Sequence, residues 1–128
     1  YFWLATSGLL WMAWGFGVGG VLVPDAALHS LFLGFVMSMV MGHAPIIVPA
    51  VIRVTLPYRP ILWVPLGLLH VSVLARVGAD LAGSAVGRGW TTHGNVVALT
   101  AFVVVAVWVV TRPAPSITVR QPTPSRVD

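Results

Sequence analysis

The four histidines of this chain, His29, His43, His70 and His93, are the residues best suited to bind a metal. The sequence contains no cysteine, so a metal site would have to use imidazole, thioether or carboxylate groups. An ionisable side chain inside a membrane span is costly and usually faces the interior of a helix bundle. Because each histidine lies within or at the edge of an apolar stretch, we treat all four as candidate ligands.

The spacing of these histidines predicts two pairs at two depths of a membrane. His29 and His43 are 14 residues apart, which in a regular α-helix is about 21 Å along the axis and about 40° around it. Counted from the predicted helix ends, His43 matches His70 in depth, and His29 matches His93. Two stacked haems of the b type would need such layers, since haem iron takes axial histidines from facing helices. Copper is a second metal that these donors could bind.

A charged pair on one predicted helix is a further candidate. Arg76 and Asp80 are four residues apart and can form an ion pair on one face. Arg76 could anchor a haem propionate near the pair of His29 and His93, or the pair could take part in a proton relay. The alternative is a purely structural ion pair. We expect Asp25, Asp80 and Asp128 to lie too far apart to act together, which argues against hydrolytic chemistry.

Two further patterns in the second apolar stretch concern packing. Small residues recur there at four-residue spacing, at Ser30, Gly34, Ser38 and Gly42. Such a stripe lets another helix, or a flat macrocycle, approach the backbone closely, and close helix packing is the simpler explanation. Methionines stand at alternate positions, at Met37, Met39 and Met41. Residues with this spacing do not share one helical face, so we expect them to serve in packing.

The elements that must position these residues are transmembrane helices. The chain is 58% hydrophobic and 8% charged, with a mean hydropathy of +0.94. Four stretches are long enough to cross a bilayer, at residues 2–23, 26–52, 61–82 and 93–110. The predicted class is therefore an all-α, polytopic transmembrane bundle of four helices. The sequence begins at Tyr1 rather than Met, so we expect it to be the C-terminal part of a larger bundle.

The arginines predict how the bundle is oriented. Five of them fall on one side of the membrane, at Arg53, Arg59, Arg112, Arg120 and Arg126, and Arg88 falls on the other. The positive-inside rule makes the side with five arginines cytoplasmic. Residues 112–128 are rich in proline and polar residues and are expected to form a flexible cytoplasmic tail. Since the arginines are scattered, they indicate topology, and we expect no nucleic acid partner.

Two adjoining segments carry a resemblance to known proteins. The segments DAALHSLFLGFVMSMVMGHAPIIVPAVIR and LPYRPILWVPLGLLHVSVLARVGADL resemble bacterial membrane proteins related to the NnrS family and to subunit I of haem-copper oxidases. The likeness covers about residues 25–82. It implies an all-helical haem protein of respiratory type in the bacterial inner membrane, linked in NnrS-type members to nitric oxide, with His29, His43 and His70 as metal ligands. The adjacent His-His pair with which haem-copper oxidases hold copper is absent from this sequence, so the resemblance does not extend to oxygen reduction.

These observations favour a haem-binding membrane protein that serves in electron transfer or gas binding. In that hypothesis His43 and His70 ligate one haem, and His29 and His93 hold another. Two alternatives stay open. One is a proton-coupled transporter or channel, with the histidines, Arg76 and a proline-broken helix lining a water-filled path. The other is a non-catalytic membrane subunit whose polar residues join helices and whose partners are lipid, other membrane subunits or further copies of itself.

Overall fold

The computed structural model describes residues 1–52 and 59–111, and their regular structure is entirely helical. In chain order the α-helices are α1 (Phe2–Gly15), α2 (Val23–His29), α3 (Ser38–Ile52), α4 (Trp63–Leu81) and α5 (Ala85–Thr111). A π-helical segment, Ser30–Met37, joins α2 to α3, and a 3-10 turn, Pro60–Leu62, precedes α4. The predicted flexible tail and Arg53 lie outside the described residues.

Three helices in the described part of the chain are long and apolar enough to cross a membrane. They are Val23–Val51, Pro60–Leu81 and Ala85–Thr111. The predicted all-α class is confirmed, and three of the helices have the length and hydropathy that a membrane span requires. Helix α1, which we expected to reach residue 23, has only 14 residues. At 1.5 Å per residue it is about 21 Å long, less than the hydrocarbon core of about 30 Å.

Glycines end α1 early. Gly17 and Gly19 adopt positive φ angles of 72° and 97°, which side-chain-bearing residues rarely adopt. The backbone N–H of Val18 donates to the Ala13 carbonyl and closes the helix at this point. The run from Gly15 to Gly20 is apolar enough to resemble a span in a hydropathy profile, yet its backbone forms a turn. The prediction for this helix was therefore wrong at its C-terminal end.

Helix α5 begins eight residues before the predicted position of 93. Ser84 precedes its first turn, and the Ser84 hydroxyl accepts a hydrogen bond from the Gly87 backbone N–H at 3.1 Å. Such a side-chain cap stabilises the start of a helix. Polar residues follow the cap, and they led us to expect a loop. His93 thus lies inside the helix, about 12 Å from its first residue.

The π-helical segment interrupts the helix that carries His29 and His43. It spans eight residues and begins directly after His29. A π-helix has a wider turn than an α-helix because its hydrogen bonds join residues five apart. Each residue therefore advances by less than 100° around the axis. The angle of about 40° between His29 and His43, which assumed a regular α-helix, does not hold for this helix.

The helices pack through small residues and a narrow apolar core. Helix α1 lies against α2 and the π segment, where the indole of Trp3 covers Gly34. The Ser7 hydroxyl donates to the Ala27 carbonyl at 2.8 Å and joins the same two helices. Helix α4 lies between α2 and α5, with Leu69 fully buried in the core. Within the small-residue stripe, Gly34 therefore serves helix packing, as expected.

The two ends of the bundle differ in chemistry. We call the end at which α2 begins and α4 ends the Asp25 end, and the opposite end the Pro49 end. The described ion pairs lie at the Asp25 end. Toward the Pro49 end, two apolar clefts of about 110 and 200 Å³ separate α3 from α5 and α4, and both include Pro45 and Leu62. Ion pairs therefore join the helices at the Asp25 end, whereas clefts separate the helices toward the Pro49 end.

Candidate functional site

All four histidines use one ring nitrogen in the same way. Nδ1 of each lies 2.7–3.0 Å from the backbone carbonyl four residues earlier, the pairs being His29 with Asp25, His43 with Met39, His70 with Leu66 and His93 with Gly89. A carbonyl oxygen can only accept, so a neutral ring in this geometry carries its proton on Nδ1 and keeps the lone pair on Nε2. Metal-bound histidines commonly have their second nitrogen anchored in this way. Each imidazole is therefore oriented for ligation through Nε2.

The histidines lie nearer the surface of the bundle than expected. His43, His70 and His93 are exposed in the described structure, and the His29 side chain is 24% exposed. Ionisable groups at membrane depth usually face protein. Here the rings of His29, His70 and His93 instead border clefts at the surface of the bundle. A ligand for these rings would therefore bind from the side rather than inside a closed core.

His70 borders a cleft between the α2–α3 helix and α4, and His43 is connected to that cleft through Met39. A cleft of about 240 Å³, which we call the Met39 cleft, is lined by Trp3, Met39, Leu66 and His70 among others. The carbonyls that hold the two imidazoles belong to Met39 and Leu66, and both of these residues line that cleft. His43 lies one helical turn beyond Met39. The structure therefore places His70 on the cleft, whereas His43 is not among the lining residues.

Aromatic side chains close one end of the Met39 cleft. The Trp3 ring stands edge-on to the His70 imidazole, with 6.3 Å between ring centroids. Phe35, from the π segment, also lines the cleft. Its apolar walls and few polar donors are typical of a site for a largely hydrophobic ligand.

The second predicted pair, His29 and His93, borders two different clefts. The cleft at His29 is lined by residues of α2 and the π segment alone, among them Asp25 and Phe32. The cleft at His93 is lined by residues of α5 alone, among them Trp90. Each cleft is thus a depression on one helix surface and contains one histidine. The structure does not bring the two rings into a common cleft.

Arg76 is the centre of a charged network at the Asp25 end. Its Nε donates to Asp80 Oδ2 at 3.1 Å, which confirms the predicted pairing of these residues. Its Nη2 donates to Asp25 Oδ2 at 2.7 Å, and its Nη1 donates to Thr92 Oγ1 at 3.0 Å and to the Arg88 carbonyl at 3.3 Å. The Arg76 side chain is 12% exposed, and its guanidinium joins α2, α4 and α5. Because most of its N–H groups already have protein acceptors, little donor capacity remains for a haem propionate.

Asp25 and Asp80 act together, contrary to our expectation. Both carboxylates bind Arg76, and ligand atoms of Asp25, His29 and Asp80 all lie within 4.8 Å of one another. The two aspartates are 55 residues apart in sequence, but one lies in the first turn of α2 and the other in the last turn of α4. Successive antiparallel helices bring these two turns to the same end of the bundle. Counting helix ends, rather than sequence distance, could have predicted the contact. Asp128 lies outside the described residues.

A second polar contact between α4 and α5, absent from the sequence analysis, lies deeper in the bundle. The Ser72 hydroxyl donates to Asn95 Oδ1, and both residues are buried. Ser72 lies eight residues, or about 12 Å, from Asp80 along α4. The next contacts toward the Pro49 end are apolar, with Leu69 and Ala98 fully buried. Polar side chains at this seam therefore extend through only part of the bundle.

Comparison with known proteins gives one match. A family model described as "Domain of unknown function (DUF8744)" matches residues 1–111. No curated protein and no solved structure matches the chain.

Proposed function

The chain belongs to the DUF8744 family, and we propose that it is a haem-binding membrane protein in which His43 and His70 are axial ligands of one b-type haem. The observation that supports this proposal is the Met39 cleft. His70 lines it, and Met39 and Leu66, whose carbonyls hold the Nδ1 atoms of the two imidazoles, line it as well. His70 thereby offers an Nε2 lone pair at this cleft, and His43 offers one about one helical turn from Met39.

The residues around the groove fit a porphyrin chemically. Neutral imidazole is a common axial ligand of haem iron, and an apolar surrounding suits the faces of the macrocycle. Gly42, which precedes His43, lines the neighbouring cleft of about 200 Å³, and an added Cβ there would have no atom within 4 Å, so there is open space next to His43. A haem held there would supply one-electron transfer or the binding of a small gas such as nitric oxide. The protein's own part is to orient the rings and to keep the groove apolar.

The exposure of the two rings supports a further element of the proposal. Both imidazoles are exposed in the described structure, although they lie within spans that are apolar enough for a bilayer. We propose that additional membrane helices, from another subunit or from a second copy, cover the open side of the groove. In keeping with the resemblance and the arginine distribution, the proposed location is the bacterial inner membrane, with the C-terminus in the cytoplasm.

Visible absorption spectroscopy tests the proposal directly. The protein is purified in mild detergent, and its spectrum is recorded after oxidation and after reduction with dithionite. We expect a Soret band and reduced α and β bands typical of six-coordinate b-type haem. The variants His43→Ala and His70→Ala should each lose the six-coordinate spectrum. His93→Ala is the matched control, because His93 is exposed and has the same Nδ1 contact but lies on the surface of α5.

Any of three results would contradict the haem proposal. One is the absence of a Soret band from the purified protein, even after haem is added during expression. Another is a haem spectrum that His43→Ala and His70→Ala leave unchanged. Loss of the spectrum in His93→Ala alone would likewise assign the haem to a different surface.

The rival proposals have less support from the contacts. A proton path would need polar groups along its length, whereas the seam between α4 and α5 becomes apolar at Leu69 and Ala98. A non-catalytic subunit would need only the packing contacts of Gly34 and Ser7. That function would not explain why a cleft lies beside His70. Proton flux into liposomes from protein without chromophore would favour the first rival. A stable complex that survives all four histidine replacements would favour the second.

A further inference from the structure

We propose that Asp25, His29 and Asp80 form a site for a divalent transition-metal ion at the Asp25 end of the bundle. The site is separate from the groove of His43 and His70 and assigns His29 to a ligand other than haem. It would take ions that accept mixed nitrogen and oxygen donors, such as Zn²⁺ or Mn²⁺.

The geometry of the three side chains is the first support. Each offers one ligand atom, and these atoms lie within 4.8 Å of one another. Metal–ligand bonds of about 2.0–2.2 Å place two ligands of a tetrahedral Zn²⁺ about 3.4 Å apart. A contraction of about 1 Å or slightly more is therefore needed. His29 and Asp25 can supply it, because both side chains are only partly buried.

An unpartnered buried oxygen is the second and independent support. Asp80 Oδ1 is buried and has no hydrogen-bond partner, while Oδ2 of the same carboxylate accepts from Arg76. The Asp80 side chain is fully buried. A buried carboxylate oxygen without a partner is costly. A metal ion bound between the aspartates and His29 would satisfy this oxygen.

Arg76 orients the carboxylates without occupying all their oxygens. It binds the Oδ2 atom of each aspartate. The Oδ1 atom of Asp25 is 3.5 Å from His29 Nδ1, and the Oδ1 atom of Asp80 is the unpartnered one. Ligation through Nδ1 would replace the contact of this nitrogen with the Asp25 carbonyl, whereas ligation through Nε2 would keep that contact. Ligating carboxylates are commonly held by such outer hydrogen bonds. The arrangement thus leaves one oxygen of each carboxylate for a cation.

The local charge sets the expected strength of binding. Two carboxylates and one guanidinium carry a net charge of −1, which favours a cation. Arg88 is close enough for its positive charge to act on Asp25, and this charge opposes binding. We therefore expect moderate affinity, and we expect it to increase when Arg88 is neutralised. A purely structural role for the cluster predicts no such increase.

Metal titration of the detergent-purified protein tests the site. The protein should carry no polyhistidine tag, and the probes are Zn²⁺ in calorimetry and Co²⁺ in visible absorption. We expect one Zn²⁺ ion to bind, and we expect Co²⁺ to give the bands of a four- or five-coordinate site. Zn²⁺ should also raise the unfolding temperature, because it binds only the folded protein.

Variants assign the ligands. His29→Ala and Asp80→Asn should each weaken Zn²⁺ binding by about tenfold or more. Arg88→Gln should strengthen it. His93→Ala is the control, since this exposed histidine lies outside the cluster, and it should bind Zn²⁺ like the unaltered protein. If Asp80→Asn does not fold, His29→Ala still decides, because the His29 ring makes no contact with Arg76 among the described hydrogen bonds.

Either of two outcomes overturns the proposal. The first is the absence of saturable Zn²⁺ binding to the unaltered protein. The second is binding that His29→Ala and Asp80→Asn leave unchanged, which would assign the ion to other histidines. The outcome of the metal titration does not depend on the haem proposal. Zn²⁺ binding reports on His29 and the two aspartates, whereas the spectra of His43→Ala and His70→Ala report on the groove alone.

Discussion

Adding one methyl group at Gly34 should disturb the contact between α1 and the π segment. An ideal Cβ at this position would lie 2.5 Å from Trp3 Cγ, 2.7 Å from Cδ2 and 2.8 Å from Cβ. Real Cβ atoms essentially never approach other atoms so closely. Because one of these atoms is the Trp3 Cβ, a simple rotation of the indole cannot remove the overlap. The backbone of α1 must move away from the π segment.

The cost of this movement can be bounded. Forcing an extra methyl group into a packed contact costs about 1–3 kcal/mol. Replacing glycine by alanine in a helix offsets part of that, by up to about 1 kcal/mol. Gly42 is the matched position, because a Cβ there would have no atom within 4 Å. The difference in unfolding free energy between Gly34→Ala and Gly42→Ala should therefore be about 1–3 kcal/mol.

Unfolding by sodium dodecyl sulfate in mixed micelles, followed by circular dichroism, measures this difference. Gly34→Ala should unfold at a lower detergent fraction than Gly42→Ala. In the background of Trp3→Gly, the added methyl group should have little further effect, because the Trp3 Cβ and the indole that it overlaps are both gone. Equal stability of the two alanine variants would refute the reasoning. So would a penalty for Gly34→Ala that persists without the Trp3 indole.

The same unfolding assay checks three other contacts. Arg76→Leu leaves two carboxylates without their cation and should cost about 3–5 kcal/mol; a loss below 1 kcal/mol would contradict the central role of this residue. Asn95→Leu removes the hydrogen bond from Ser72 and should cost about 0.6 and at most about 1.7 kcal/mol, the range for polar contacts between membrane helices. Arg59→Ala removes a guanidinium that lies 5.3 Å from the Trp108 ring centroid, at an expected cost of about 0.5–1 kcal/mol, and no change would refute that contribution.

Hydropathy predicted the membrane spans better than it predicted the helices. The broken connection around Pro60 and the pairing of Arg76 with Asp80 followed directly from residue type and spacing. The end of α1 did not, because an apolar segment with glycines satisfies a hydropathy criterion while its backbone turns. The start of α5 did not either, since a helix can begin with polar residues outside the apolar region. The capping residue Ser84 is the sequence feature that could have predicted the start of α5.

The candidate site required information that local sequence does not contain. The i to i−4 hydrogen bonds of the histidines follow from helical geometry, but which rings share a groove depends on how the helices rotate. The π segment changes that rotation between His29 and His43, and no residue type within Ser30–Met37 predicts a π-helix there. Contact between Asp25 and Arg76 depends on tertiary packing across 51 residues. These features emerge only when the elements are assembled.

The Arg76 network has a mechanical consequence. One guanidinium fastens three helices at one end, whereas the opposite end has apolar gaps around Pro45 and Leu62. Stiffness is therefore distributed unevenly along the bundle axis. When the helices bend or separate to admit a neighbouring helix, we expect the smallest displacements near Arg76. The largest displacements should occur where α3 and α5 reach the Pro49 end.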